Sequence, residues 1–384
     1  MHIAFLTSEF PHEKLGHSAG IGTSIYNMAL SLLKNNVKVT VFVYSQYQNN
    51  IFEFNGISIH SIKHKKYAFL GWYFYRKYIN NYINLVIENE NINLIEVPDW
   101  TGITAFIKFN IPLVIRIHGS DAYFCYLEGR LQKRKNFYFE KIAIHNADAL
   151  VSVSKYAAKV TKQIFKLKKT VEIIPNGINT QNFKNQNPTE YTKNTILYYG
   201  TLIRKKGVLE LAKIFNKVVE EVPDAILILI GSDSNDIRSG EKSTYKLMQN
   251  IFTNKAKKQV NYIGKVPYAD LVNHIKDAHI CVFPSLAESF GMVTIEAMAM
   301  QKPVINSNYG WANELIENNY DGILEDSKNH NKFTEAIVDL LMNSLKTQRI
   351  AKNAVKSVKE KFEMNNLAEK NIKFYQSIID TFIK

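Results

Sequence analysis

Cysteines and long apolar runs are scarce in this chain, and their scarcity excludes several classes of protein. Only two of the 384 residues are cysteines, Cys125 and Cys281, and neither belongs to a C-x-x-C pattern. We expect buried free thiols in a reducing compartment rather than disulfides. No apolar run approaches the roughly 20 residues of a membrane span, and MHIAFLTSEF lacks the regions of a signal peptide. These features predict a cytoplasmic location.

Sequence motifs for several common chemistries are also missing. The chain has no G-x-x-x-x-G-K-[ST] phosphate loop, no Cys/His cluster with zinc spacing and no G-x-S-x-G nucleophile elbow. We therefore expect neither a bound metal nor a cofactor.

Acidic residues are missing from one long stretch, although the net charge is +13. Between Phe54 and Val86 there is none, whereas five cations lie there: Lys63, Lys65, Lys66, Arg76 and Lys77. A basic balance suits nucleic acid, an anionic membrane or a phosphorylated substrate, although a Lys- and Asn-rich composition explains part of it. The stretch is also aromatic. It fits either a core helix with a solvated basic edge, or a patch over 63–82 that contacts an anionic membrane or a lipid-linked acceptor.

The composition and the order of elements predict a two-domain α/β protein. With 46% hydrophobic and 22% charged residues, 384 residues can form two ordinary domains. Apolar strands alternate with helical patterns in both halves, which predicts two doubly wound parallel sheets. We place the first domain at 1–177, a polar linker at 178–194 and the second domain at 195–364. The remaining 365–384 is predicted to form an amphipathic helix.

The stretch from Cys281 to Ser307 carries the most specific pattern. A short buried strand ends at Pro284, and a helix is predicted from Met292 to Met300. Glu288 then lies in the loop, and Glu296 lies in the second helical turn. Free N–H groups at the helix start, flanked by two carboxylates, suit a polyhydroxylated anionic ligand. A surface helix with an acidic residue near its dipole is the simpler alternative.

Two other strand ends lead into helices with anion-binding character. Gly20-Ile21-Gly22 follows the first strand and precedes a helix predicted from about Thr23, although a plain tight turn would look the same. Arg204-Lys205-Lys206 follows a strand and precedes a helix that we expect to begin near Gly207. Cations there oppose the helix dipole, which favours an anion between them over a simple basic loop.

A histidine stands at another strand end. His118 follows the strand LVIRIH and precedes Gly119, at the carboxyl end where parallel sheets bind ligands. A structural and a functional histidine are about equally expected here. Asp121 follows closely.

The order of strand, Pro-Ser, Glu-x7-Glu, small-residue helix and Lys-Pro-Val strand resembles the retaining GT-B glycosyltransferases of family 4. The resemblance implies a GT-B fold, with two Rossmann-like domains facing a cleft and the last helix packing back on the first domain. It implies transfer of a sugar from a nucleotide diphosphate, with retention and without a metal. A UDP-sugar is the favoured donor and a GDP-sugar the alternative. The acceptor would be a glycan or lipid-linked hydroxyl in cell-envelope polysaccharide synthesis, at the inner face of the plasma membrane.

The resemblance also implies roles for individual residues. Lys206 matches the family lysine at the diphosphate, whereas Thr201 stands where the family has an arginine, so Arg204 is the candidate replacement. Glu296 would hold the ribose, and His118 the donor sugar from the opposite domain. The remaining donor candidates are loop or helix-start residues: Gly20, Gly22, Lys265, Val266, Glu288, Ser289, Phe290, Gly291, Met292 and Val293. Asp99, Asp121 and Arg130 are the acceptor candidates.

Three other functions remain open at this point. A carboxylate pair also fits a glycosidase, but hydrolysis needs no phosphate clamp. An epimerase or phosphorylase on the same fold would share the donor site. A nucleic-acid-binding protein would explain the charge but not the two glutamates, so we expect no nucleic-acid partner. No D-x-D triplet occurs, so the metal-bridged diphosphate site of the other glycosyltransferase fold is not indicated.

Overall fold

The computed structural model describes residues 1–16 and 20–383. The chain forms two compact units, one of residues 1–179 together with the segment that begins at Met364, the other of Thr180–Glu363. The predicted boundaries differ from this division at the linker. Residues 180–194 belong to the second unit, where Phe183 is buried and Tyr191 stacks on His279 at 4.4 Å. The polar composition of the segment gave no sign of these anchors.

An eight-stranded sheet forms the core of the first unit, in the order β3-β4-β2-β1-β5-β6-β7-β8. Its strands are β1 (His2–Thr7), β2 (Lys38–Gln46), β3 (Asn50–Phe54), β4 (Ile57–Lys63), β5 (Leu94–Pro98), β6 (Leu113–Ile117), β7 (Ala149–Ser152) and β8 (Glu172–Ile173). All neighbours are parallel except the hairpin of β3 and β4. The sequence reading missed β3, a half-exposed edge strand that lacks a continuous apolar run.

Five helices of the first unit connect these strands: α1 (Gly20–Lys34), α2 (Gly71–Glu90), α3 (Asp121–Glu128), α4 (Arg134–Asn146) and α5 (Lys155–Phe165). The charged run from Glu128 to Lys135 does not form one continuous helix. Gly129 adopts φ +65° and ends α3, because a left-handed residue cannot continue a helix. Ser154 caps α5, since its hydroxyl accepts the Ala157 N–H at 3.0 Å.

A six-stranded parallel sheet forms the second unit, in the order β11-β10-β9-β12-β13-β14. Its strands are β9 (Thr195–Tyr199), β10 (Ile226–Ile230), β11 (Val260–Gly264), β12 (Ile280–Phe283), β13 (Val304–Ser307) and β14 (Ile323–Glu325). The helices are α6 (Val208–Glu221), α7 (Thr244–Ile251), α8 (Asn254–Lys257), α9 (Tyr268–Asp277), α10 (Met292–Ala299), α11 (His330–Met342) and α12 (Ser344–Lys361). The segment Ser243–Lys257 contains two helices, because Thr253 caps a new start.

The last helix, α13 (Met364–Ile383), belongs to the first unit and contacts α1. Its Tyr375 is fully buried and donates to the Glu96 carboxylate at 2.7 Å. Arg116 from β6 donates to the same carboxylate through two nitrogens, at 2.7 and 2.9 Å. This buried network joins α13 to the neighbouring strands β5 and β6.

Both cysteines are buried free thiols, as predicted. Among the described residues, no helix is long and apolar enough to cross a bilayer.

Candidate active site

Two loops of the second unit are held against each other at the carboxyl ends of β9 and β12. The Leu286 and Ala287 N–H groups both donate to the Lys205 carbonyl, at 2.8 and 3.1 Å. Gly207 has φ +71°, and a Cβ at this position would lie 1.8 Å from the Pro284 carbonyl oxygen. The contact therefore requires glycine. This contact holds the basic loop 201–207 beside the loop that carries Glu288.

Lys206 and Glu288, one from each loop, form an ion pair. The Glu288 residue is 7% exposed, whereas the Lys206 side chain is 24% exposed. The lysine is thus the more exposed partner of the pair. A diphosphate oxygen approaching Lys206 would find a cation already positioned by a buried carboxylate.

The start of α10 follows directly. Gly291 has φ +98° and lies next to the helix, while Phe290 is buried. Ser289, Met292 and Val293 are half-buried, in the positions predicted for a ligand-binding helix start. Here the first N–H groups lack intrahelical acceptors, so they can donate to an anion or a hydroxyl.

Glu296 lies in the second turn of α10 and is 7% exposed. Burial raises the pKa of its carboxyl to about 7, and a hydrogen bond from the Tyr268 hydroxyl (2.9 Å) opposes part of that rise. A buried carboxylate with a single strong donor can accept further bonds from ligand hydroxyls. Tyr268 begins α9 and was missed in the sequence, although its place after Val266-Pro267 could have indicated it.

Arg204 is held by a partner that sequence reasoning did not find. Its guanidinium donates to both carboxylate oxygens of Asp236, at 2.8 and 2.7 Å. This bidentate bond holds the pKa of Asp236 well below its usual range. Arg204 therefore fixes the loop after β10, and only its remaining N–H donors could reach a diphosphate.

Lys265 and Val266 follow β11 at a turn. Gly264 has φ +84°, and its carbonyl accepts the Gly231 N–H at 2.8 Å. Lys265 is exposed and Val266 half-buried.

In the first unit, α1 begins at Gly20 rather than at Thr23, so both glycines lie in its first turn. The Gly22 N–H donates to the Glu9 carboxylate at 2.7 Å. A Cβ on Gly22 would lie 2.8 Å from the Glu9 carbonyl oxygen. The chain thus places its own carboxylate at a helix start where we predicted a diphosphate. Residues 17–19 of the preceding loop lie outside the described residues.

His118 and Asp99 lie together at the ends of β6 and β5. The Asp99 carboxylate accepts a hydrogen bond from the backbone N–H of His118 at 2.9 Å. Burial and the nearby Arg116 cation lower the pKa of His118 to about 3, so its ring is neutral at pH 7. Burial, reinforced by Glu140, raises the pKa of Asp99 to about 7. A neutral histidine at this edge can exchange hydrogen bonds with a sugar without adding charge.

Asp121 and Arg130 flank α3. Their charged atoms are 3.9 Å apart, and Arg130 also donates to Glu128 at 2.7 Å. Arg130 borders a cavity of about 490 Å³ between α3, α4 and α5. Neither Asp99 nor Asp121 lines this cavity.

Glu140, also missed in the sequence, caps the start of α3. Its carboxylate accepts the Asp121 and Ala122 N–H groups at 3.2 and 3.0 Å. Across the described part of the chain, no group of three or more His, Cys, Asp or Glu side chains could hold a metal ion.

Comparisons with known proteins agree with the predicted fold and family. The sequence profile described as Glycosyl transferases group 1 matches residues 179–357, and that described as Glycosyltransferase Family 4 matches 18–182. An uncharacterized glycosyltransferase of Methanocaldococcus jannaschii, MJ1178, is 26% identical over 369 residues, which are 94% of this chain and 95% of that protein. The capsular polysaccharide biosynthesis glycosyltransferase CapM of Staphylococcus aureus is 27% identical over 66% of this chain and 69% of its own.

Among solved structures, Anabaena HepE in complex with UDP and glucose superposes with a TM-score of 0.72 at 19% identity, over 98% of this chain and 99% of that one. This likeness confirms the predicted GT-B fold. The two adjoining profile matches extend over most of the chain, one in each unit. The chain therefore belongs to the family 4 type of GT-B glycosyltransferases.

Proposed function

We propose that the protein is a retaining glycosyltransferase that uses a nucleotide-diphosphate sugar, with UDP as the favoured nucleotide. The observation that carries the proposal is the Lys206–Glu288 ion pair beside the start of α10, with Glu296 one helical turn further on. This arrangement offers a cation and free N–H groups for phosphate and two carboxylates for hydroxyls. The choice of UDP is supported by HepE, which was solved with UDP and glucose.

In this proposal the bound donor replaces the ion pair between Lys206 and Glu288. Lys206 leaves Glu288 for the diphosphate, and Glu288 then accepts from the sugar hydroxyls with the Phe290–Gly291 backbone. Glu296 accepts from the ribose. Val266 contributes backbone groups to the base, and His118 contacts the sugar as a neutral hydrogen-bonding group.

The reaction balances without a protein nucleophile. The acceptor oxygen forms a bond to the anomeric carbon on the face from which the diphosphate departs, and the bond from that carbon to the phosphate oxygen breaks. The acceptor proton passes to the departing phosphate. Negative charge grows on the diphosphate in the transition state, so Lys206 and the N–H groups of α10 stabilise the transition state more than the ground state.

The acceptor in this proposal is a hydroxyl of a cell-envelope glycan or its lipid-linked precursor. CapM, which takes part in capsular polysaccharide synthesis, supports this class. Asp99, Asp121 and Arg130 remain the candidate acceptor contacts.

The test is thermal stabilisation by a panel of nucleoside diphosphates and nucleotide sugars, with wild type beside Lys206→Ala and Glu296→Ala. A ligand at a hundredfold excess over its Kd should add about 2.7 kcal/mol to the free energy of unfolding. A shift with one base that both variants lose supports the donor site. A folded protein that no nucleotide stabilises, with or without added divalent cation, contradicts the proposal. Retention is then tested by the anomeric configuration of the transferred sugar in NMR.

A further inference from the structure

A continuous set of aromatic rings covers one part of the first-unit surface near the start of α2. Ring centroids of Tyr67 and Phe74 are 5.7 Å apart, those of Phe74 and Tyr73 are 5.6 Å apart, and those of Tyr73 and Trp72 are 5.9 Å apart. Trp72 continues the set to Phe106 at 5.5 Å. We call this set, with the neighbouring residues Phe69 and Leu70, the aromatic patch.

Most of the aromatic patch is open to solvent. Phe69 is 74% exposed, Phe106 49%, Leu70 43%, Phe74 40% and Tyr73 38%. Single exposed apolar residues are common on protein surfaces, but a contiguous group of this kind marks an interaction site more often than not.

The exposed aromatic side chains belong to an ordered part of the fold and not to a frayed helix end. Later turns of α2 bury Ile79, Ile83 and Ile87 against the first-unit core. Leu70 immediately precedes the helix with φ +46°, and its carbonyl accepts the Tyr73 and Phe74 N–H groups at 2.8 and 3.1 Å. The exposed aromatic side chains are therefore presented by a hydrogen-bonded backbone.

Cations surround the aromatic patch. Lys65 lies 3.8 Å from the ring centre of Tyr78, and Lys135 lies 5.5 Å from that of Trp72. Five further cations are exposed on the same segments: Lys63, Lys66, Lys77, Lys133 and Arg134. Arg76, by contrast, is 7% exposed and donates to the Trp72 and Gly102 carbonyls, so the earlier assignment of Arg76 to the basic surface was wrong. Between Phe54 and Glu88 the sequence contains no acidic residue to neutralise the lysines of that segment.

We propose that the aromatic patch and its cations dock the enzyme on the surface of an anionic phospholipid bilayer. Aromatic side chains partition into the headgroup region, where their apolar rings leave water, and lysines around them face lipid phosphates. Charge complementarity selects this occupant. A nucleic acid would use the cations but leave exposed Phe69 and Leu70 unexplained, and a protein partner would need an acidic surface to match the cations.

Vesicle sedimentation with the full chain tests this docking without any donor or acceptor. Vesicles of phosphatidylcholine alone are compared with vesicles of phosphatidylcholine and phosphatidylglycerol in equal parts, at low and high sodium chloride. The charge variant is Lys65→Gln/Lys66→Gln, and its matched control is Lys257→Gln/Lys258→Gln, an exposed pair in the second unit. The apolar variant is Phe69→Ser/Phe74→Ser, with the exposed Met342→Ser/Leu345→Ser as control.

The expected result is binding to the anionic vesicles that weakens in high salt. Loss of two lysines should lower the partition coefficient roughly thirtyfold, and the phenylalanine variant should lower it as well. Both controls should bind like wild type. The proposal is overturned if the anionic vesicles fail to bind the chain at low salt, or if the two lysine pairs have equal effects, since that would indicate net charge alone. Binding that ignores Phe69 and Phe74 and is displaced by duplex DNA would point to nucleic acid.

Because vesicle binding is measured without nucleotide, its failure leaves the proposed glycosyl transfer untouched. A nucleotide-binding failure in the thermal panel would likewise leave the docking surface standing. Unchanged thermal midpoints of all four variants exclude misfolding as the cause of lost binding.

Discussion

Lys206 and Glu288 form an ion pair, although they are 82 residues apart in the sequence. The two loops that carry them also share backbone hydrogen bonds at Lys205. The ion pair predicts opposite effects on UDP affinity for substitutions of the two residues. Removing the cation removes a ligand of the diphosphate, whereas removing the anionic charge frees the cation.

Lys206→Ala should weaken UDP binding by about 2 kcal/mol, or roughly thirtyfold, because a charge-assisted bond to phosphate is lost. Glu288→Gln should bind UDP at least as well as wild type, yet lose sugar transfer, since the amide is a poorer acceptor for sugar hydroxyls. Isothermal titration with UDP and a transfer assay separate the two effects. Lys213→Ala, which breaks the more exposed pair with Glu210 on α6, serves as the control. Equal loss of UDP affinity in both Lys206 and Glu288 variants would contradict the exchange of partners.

The free energy of unfolding of the ligand-free protein should depend on Glu296. Burial raises its pKa to about 7, against 4.5 for the ordinary group. Between these values the folded state holds a proton that the unfolded state releases, so stability falls as pH rises through this window. Glu296→Gln should therefore exceed wild type in stability by about 3 kcal/mol near pH 8 and match it near pH 4, below the unfolded-state value. Urea unfolding at both pH values measures this, with the exposed Glu360→Gln as a control expected to show no such gain.

The affinity for UDP should rise with pH, whereas the free energy of unfolding falls with pH. Ribose hydroxyls donate to the ionised carboxylate, so the affinity of the wild type should rise between about pH 6 and pH 8 as Glu296 loses its proton. Glu296→Gln should lack this rise beyond whatever the phosphate itself contributes. A nucleotide without ribose hydroxyls should bind the two proteins alike. Identical pH profiles of wild type and variant would refute a ribose contact at Glu296.

Gly207→Ala should be far more harmful than its conformation alone explains. Its Cβ would lie 1.8 Å from the Pro284 carbonyl oxygen, so the loop with Glu288 must move. Gly240 is the matched control, because its φ of +77° is equally left-handed but no atom lies within 4 Å of the added Cβ. Gly240→Ala should cost about 1 kcal/mol, and Gly207→Ala should cost several times that and abolish UDP binding. Thermal unfolding and UDP titration compare them, and similar effects would mean that the two loops adjust freely.

Arg116→Met should destabilise the first unit by about 3–5 kcal/mol, since it leaves the buried Glu96 carboxylate without its main partner. Tyr375→Phe removes one hydrogen bond and should cost about 1–2 kcal/mol. Adding Glu96→Gln to Arg116→Met should recover part of the loss. Lys356→Ala in an exposed pair on α12 should change little. Urea unfolding measures all four, and a cost of Arg116→Met as small as that of Lys356→Ala would show that the network is not stabilising.

The strand and helix order was predictable because each element carries its own pattern. The helix predicted from Met292 to Met300 matches α10 except for its last residue. It was predictable because Pro284 stops the strand and good helix formers follow Gly291. That placed Glu288 and Glu296 correctly relative to the helix. The edge strand β3 was missed, because half-exposed edge strands have mixed composition.

Pairings between distant elements could not be predicted. Nothing near Arg204 in the sequence indicates Asp236, and nothing near Glu296 indicates Tyr268, because each pair meets only once the strands lie side by side. Arg76 illustrates the same limit. Its cation was counted with the surface, but two carbonyls and the face of Phe139, 4.3 Å away, hold it in the interior. Charge alone predicts exposure poorly when the partners are backbone groups.

The contact between Gly207 and Pro284 has a consequence for protein engineering. Family members with different donor preferences are natural sources of loops for grafting, and the segment after β12 is an obvious choice. In this chain that segment rests on the 201–207 turn through the Lys205 carbonyl and through a glycine with no room for a side chain. If only residues 284–291 were exchanged, the new segment would pack against a 201–207 turn that fits the original backbone. The transferable unit is the pair of turns, exchanged together.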